Sequence, residues 1–177
     1  FAALASLPIE TEELPEEYTR VAGQTDTRFR ITVAEGATSW QVWDALSRAE
    51  FLEGELPDIP DEGSLATESY EMRRGADRAG LVAEMQARQA AILAAAWESR
   101  AEGLPLSSPE EALILASIVE KETGQPEERR QVASVFVNRL RAPMRLQTDP
   151  TVIYGITMGQ GVLGRGLRRS ELDATTP

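Results

Sequence analysis

The segment Ser108–Gly124 constrains the fold more than any other part of the chain. Ser108 precedes Pro109, Glu110 and Glu111, which reads as an N-cap, a proline at the first helical position and a glutamate placed for a capping box. ALILASIV follows, with Ser117 its one polar residue, and a helix apolar nearly all round is expected to be central and buried. It runs directly into Glu120, Lys121, Glu122 and Thr123 and stops at Gly124. The chain must therefore build a core around a helix whose C-terminal end carries two carboxylates.

What surrounds that helix is mixed. RFRITVA, residues 28–34, alternates as a strand with Phe29, Ile31 and Val33 on one face. Gly36 marks a turn, and Thr38 or Ser39 can cap a helix through WQVWDALSRAEF, with Trp40, Trp43 and Leu46 spaced as a core stripe. ELPDIPDEG reads as a loop and LATESYEM, from residue 65, as a short extended piece. Residues 77–101 form one long alanine-rich helical pattern carrying Leu81, Met85, Ile92 and Trp97. EGLPLSSP breaks it. A further helix is expected from Pro126 to about Leu140, with Val132, Val135, Phe136 and Leu140 on its apolar face. RLQTDPTVIYG then sets Gln147, Thr148 and Asp149 before an apolar, strand-like TVIY, a density of polar groups that suits a binding rim or a well-bonded turn. Five glycines in residues 155–166 make that stretch mobile or closely wrapped around a partner. Residues 8–26, acidic and turn-rich, suit a surface connection.

Composition narrows the chemistry. The 177 residues include no cysteine and no histidine, so disulfides, thiol nucleophiles, serine–histidine triads and the usual structural zinc sites are excluded. Carboxylates, hydroxyls, amides, arginines and the single Lys121 are what is left for catalysis. The net charge of -11 argues against general binding to nucleic acid or an anionic membrane surface. That charge is unevenly spread: up to Ser107 there are 20 acidic residues against nine arginines, and from Ser108 onward nine of each sign. The arginines at 139–145 and 165–169 offer a surface to an acidic polymer, or a solvated face. No stretch of the chain is long and apolar enough to span a bilayer.

The two carboxylates of the central helix are not equivalent. Glu120 shares a face with Leu113, Ala116 and Ser117, and Glu122 with Leu115, Ile118 and Val119, so they diverge by about 200°. A carboxyl at the negative pole of a helix in apolar surroundings is expected to hold its proton, as a general acid for glycosidic cleavage requires. The alternative is that one glutamate fixes the next helix through an ion pair or amide contacts.

Residues 113–155, LILASIVEKETGQPEERRQVASVFVNRLRAPMRLQTDPTVIYG, resemble the signature region of the endolytic murein transglycosylases, the YceG-like family. VAEGATSWQVWDAL resembles that family's opening turn and helix. LATESY resembles an element usually written with proline, aspartate and threonine where Thr67, Glu68 and Ser69 stand here. The resemblance implies an α+β chain: a mainly helical, lysozyme-like lytic transglycosylase domain over 76–177, preceded over 1–75 by part of a small α/β, LysM-like module, incomplete at both ends. It implies an enzyme that cuts peptidoglycan glycan strands without cofactor or metal, and it places the catalytic acid at Glu120. Glu68, Tyr70, Glu122, Asn138, Gln147, Thr148, Asp149 and Tyr154 are the candidate substrate contacts. It further implies a single-pass protein of the bacterial inner membrane with this region on the periplasmic side, anchored by a segment absent here, and cell-wall synthases as partners. A glycan-binding or divisome-scaffolding module and a hydrolytic muramidase are the competing readings.

Overall fold

The computed structural model describes Arg20 and residues 27–172; apart from Arg20, the expected surface connection at 8–26 lies outside the described residues. Strand β1, Arg28–Thr32, pairs antiparallel with β3, Ser69–Arg73, in a register that sets Phe29 opposite Met72 and Ile31 opposite Tyr70. Alternation turns these four inward and leaves Arg30 and Glu71 outside, where they form an ion pair of 2.5 Å. Val33, expected within the strand, lies just past it, buried, and donates its N–H to the Glu68 carbonyl. Two short segments, β2 (Leu52–Glu53) and β4 (Ala76–Asp77), form a parallel bridge.

Between β1 and β2 lies α1, Ser39–Ser47. Thr38 is its cap: the hydroxyl accepts from the Gln41 N–H and the Gln41 side chain accepts from the Thr38 N–H, a reciprocal capping box. The tryptophans depart from the expected core stripe. The buried line runs through Ser39, Val42 and Leu46, and Trp40 and Trp43 flank it half-buried. An indole on the rim can satisfy its N–H, and Trp43 donates to the Pro57 carbonyl at 2.8 Å.

Helix α2, Arg78–Glu98, starts on an Asp77 cap and ends three residues before the expected 101. Its first turns carry Leu81, Val82 and Met85 into one core with Val33, Val42, Leu46, Leu52, Leu65 and Tyr70. The later turns are solvated: Ile92 is exposed, and the Arg100 guanidinium lies 3.9 Å over the half-buried Trp97 ring. Alanine density sustains helix there without burial.

A second core joins α3, Pro109–Glu122, to α4, Arg129–Arg141, through Leu115, Ile118, Val119 and Phe136. The helix expected to be buried all round is not: Ile114 is 61% exposed, and Ala116 and Ser117 face solvent with it. One packed side suffices to hold α3, so its apolar run overstated its burial. Its capping box is also shifted. Ser108 accepts from the Glu111 N–H, but the Glu111 carboxylate reaches Ser107 N–H rather than Ser108. The segment from Gln125 to Glu128 is a turn, not the first turn of α4, and Thr123 donates to the Glu128 carboxylate at 2.8 Å.

TVIY is helical, contrary to the strand-like reading. Helix α5 spans Asp149–Thr157, with proline in its first turn and Thr148 in extended conformation before it. Proline's fixed φ initiates the helix, and that start outweighs the β-branched composition. The glycine-rich stretch therefore begins inside α5. Met158 closes the helix in the left-handed region, and Gly159 is buried against Thr38 and Glu62. A short α6, Arg169–Leu172, ends the described part. Among the described residues, no helix is long and apolar enough to cross a membrane.

Candidate active site

The C-terminal turn of α3 sends its two glutamates to different neighbours, as their divergence around the helix requires. Glu122, on the packed side with Leu115, Ile118 and Val119, accepts a hydrogen bond from the Thr148 hydroxyl. Thr148 is 4% exposed, so this bond pins the start of α5 to the end of α3. Gln147 and Asp149, on either side of Thr148, remain exposed, and Gln147 takes a left-handed backbone with φ of 51°. The rim expected around 147–149 is thus split: one residue buried as a tie, two presented outward.

Glu120 turns to the other side. Its carboxylate Oε2 forms an ion pair with Arg129 Nη2 at 2.9 Å, and the same nitrogen donates to Glu35 Oε2 at 3.1 Å. The Glu120 side chain is 25% exposed. Its Oε1 makes no hydrogen bond or ion pair among the described residues. The turn before α1 sits on this carboxyl. A Cβ built on Gly36, whose φ is +72°, would lie 3.6 Å from Glu120 Cγ and 3.3 Å from Lys121 Nζ. The apolar surround expected for the acid is replaced by a guanidinium, because the first residue of α4 folds back across the turn. An ion pair from one glutamate to the next helix is the alternative that the sequence leaves open, and Glu120 forms it; that Arg129 is the partner and that Glu35 shares it is what sequence reasoning missed. Arg129 lies nine positions after Glu120 across a turn and carries no local signal of that contact, and Glu35 reaches it only through tertiary packing.

The remaining candidates fall elsewhere. Tyr70 is buried at 2% exposure and donates to the Ala66 carbonyl at 3.0 Å. Burial, then the Glu68 charge, hold its phenol above the usual range. Glu68 is bound to Arg88 at 2.6 Å, and Arg88 also reaches Glu84 and lies over the Tyr70 ring. These residues form a cluster on β3 and α2, apart from the pairing of Glu120 with Arg129. Tyr154 on α5 donates to Glu62 Oε2 at 3.2 Å, while Glu62 Oε1 accepts from the Ser39 N–H. Burial and the Glu62 charge raise the Tyr154 phenol as well, so it stays a donor. Thr38 completes this junction by donating to the Gly159 carbonyl at 2.7 Å. Asn138 lies exposed on α4.

Four of the eight arginines from Ser108 onward, Arg129 among them, have partners for their side chains. Arg139 donates to the Leu146 carbonyl and Arg141 to Gly103 O, while Arg165 holds Glu171 through both η nitrogens. Arg130 and Arg145 stay exposed. Chemically, the α3 end offers two carboxyls on opposite sides, Glu122 tied to Thr148 and Glu120 with Oε2 paired to Arg129 and Oε1 without a hydrogen bond or ion pair among the described residues.

The chain as a whole resembles known proteins. A family model described as the YceG-like family matches residues 4–177. An endolytic murein transglycosylase of Bacillus subtilis is 52% identical over 42 residues, 24% of this chain and 12% of that protein. An endolytic murein transglycosylase of Streptococcus pneumoniae is 32% identical over 111 residues, 62% of this chain and 19% of that protein. The matches thus span less than a fifth of these relatives' own length. A crystal structure of a YceG-like protein from Listeria monocytogenes superimposes with a TM-score of 0.63 at 24% identity, covering 88% of this chain and 60% of that one. That last likeness is one of fold.

Proposed function

The chain belongs to the YceG-like family, and from that premise we propose that it carries the acid-bearing part of an endolytic murein transglycosylase. Its substrate is the glycan strand of peptidoglycan, and the bond cut is the β-1,4 link from N-acetylmuramic acid to N-acetylglucosamine. Glu120 protonates the glycosidic oxygen as an oxocarbenium-like centre develops. The resulting carboxylate takes the proton from the muramyl C6 hydroxyl, which attacks C1 and closes a 1,6-anhydro ring. Internal attack gains from proximity and uses no water as nucleophile. The observation that carries this reading is Glu120 itself: a carboxyl in the last turn of a packed helix, with Oε2 held by Arg129 and Oε1 without a hydrogen bond or ion pair among the described residues.

The same family resemblance supports a lysozyme-like character for the helical part over 76–177 and a LysM-like one for the α/β part over 1–75. It supports a periplasmic position beside the bacterial inner membrane and cell-wall synthases as partners. A hydrolytic muramidase needs a second carboxylate about 5–9.5 Å across the cleft. Glu68, Glu122 and Asp149 are the carboxylates the sequence offers for that role; Glu68 is paired with Arg88 and Glu122 accepts from Thr148. The test is E120Q in the complete protein, with peptidoglycan digests read by mass spectrometry. Cleavage should fall at least about a hundredfold, the lower range for a lost general acid, with the thermal melt unchanged, and the parent's products should end in anhydromuramyl groups. Reducing ends would establish the muramidase. Retention of more than a tenth of the activity by E120Q would remove Glu120 from the role.

A further inference from the structure

We propose that Arg129 is the positioning residue for Glu120, and that Glu35 holds Arg129 in turn, so that the turn before α1 sets the geometry of the acid. The proposal rests on the reading of Glu120 as the catalytic acid. Four observations carry it. One guanidinium nitrogen, Nη2, is shared between Glu120 at 2.9 Å and Glu35 at 3.1 Å. Arg129 Nε is buried and hydrogen-bonds to nothing among the described residues. A Cβ on Gly36 would come within 3.6 Å of Glu120 Cγ and 3.3 Å of Lys121 Nζ, so the turn before α1 lies beside the stem of the acid. Among the described residues, one oxygen of Glu120 is engaged and the other, Oε1, has no hydrogen bond or ion pair.

Stability does not explain this arrangement. The three side chains are 36%, 25% and 63% exposed for Arg129, Glu120 and Glu35, and ion pairs of that exposure contribute little to folding. A buried Nε without a partner is a cost that a purely structural arginine would avoid by turning outward. Orientation is what the contact supplies. A glutamate at the last turn of a helix has three side-chain torsions to settle, and a planar guanidinium fixed at a second point selects one arrangement. Because Glu35 belongs to the turn before α1, the placement of the acid depends on how the α/β part sits against α3. Misplacing a reacting group by about an ångström can cost about a hundredfold in rate.

The test uses the complete protein and four variants: E120Q, R129A, R129K and E35Q. R129A should lower kcat about 10–100-fold with KM within about twofold, since the group orients the acid without touching the glycan. Free guanidinium at a concentration well below the denaturing range should restore part of the R129A rate and none of the E120Q rate. R129K, which keeps the charge on a differently shaped and shorter side chain, should fall between R129A and the parent. E35Q lies on an exposed turn and should fold normally, with kcat lowered a few-fold and KM unchanged. If R129A melts early, E35Q and R129K decide. An E35Q or R129A enzyme with parental kcat, or R129A loss confined to KM, overturns the positioning role while leaving Glu120 in place. Parental activity in E120Q overturns both readings at once.

Discussion

Replacing Thr148 by valine (T148V) should destabilise the chain while leaving its backbone in place. Valine matches threonine in shape and lacks the hydroxyl that donates to Glu122. Thr148 is 4% exposed and Glu122 half-buried, so water cannot fully replace the lost donor. A hydrogen bond to a charged group is worth about 1.5–3 kcal/mol, and stranding a partly buried acceptor moves the cost toward the upper end. The expected loss is therefore about 2–3 kcal/mol, or about 4–12 °C in Tm for a chain of this size. Urea denaturation of the parent, T148V, E122Q and the double variant gives the pairwise term directly. The single variants should not add: a coupling of about 1 kcal/mol or more is expected between the two positions. A T148V loss under about 0.5 kcal/mol, or strict additivity, would show that Glu122 does not hold the α5 start. Cleavage by a folded E122Q should survive, in contrast to E120Q.

Two further outcomes follow from the geometry. G159A adds a Cβ 3.2 Å from atoms of Thr38 and Glu62 at a φ of +73°, so it should lose about 1–2 kcal/mol, whereas G161A, with nothing within 4 Å, should melt as the parent does. Glu171 is held down to about 2 by Arg165 and by the Arg168 N–H, below its ordinary 4.5. The stabilisation it lends to the 165–172 segment is thus present above 4.5 and lost as pH falls toward about 2. Amide exchange of that segment should rise over that interval in the parent, and an R165M variant should already exchange fast at pH 5; equal protection in both would reject the tie.

Local pattern set several features on its own. Thr38 and Ser108 cap helices because a hydroxyl there can accept an orphan N–H, whatever the rest of the chain does. The alternation around Phe29 and Ile31 produced a strand, and the divergence of Glu120 from Glu122 is helix geometry alone. Local pattern failed where two signals competed. TVIY carries β-branched residues that favour a strand, but the proline before it starts a helix. Trp40 and Trp43 stand at helical spacing, yet the buried stripe of α1 passes through Ser39, Val42 and Leu46, because the covering residues, Leu52, Leu65 and Met85, come from other elements.

The candidate site divides along the same line. That a carboxyl ends α3 at position 120 could be read from the chain, as could the family it resembles. What faces that carboxyl could not. Arg129 arrives from the next helix after a turn, and Glu35 from a loop 85 positions earlier, and neither contact leaves a periodic or short-range trace. Helix periodicity and capping act over three or four residues and are therefore written locally. The electrostatic surroundings of an acid depend on which distant charges packing brings within a few ångströms, and that is a property of the folded chain alone.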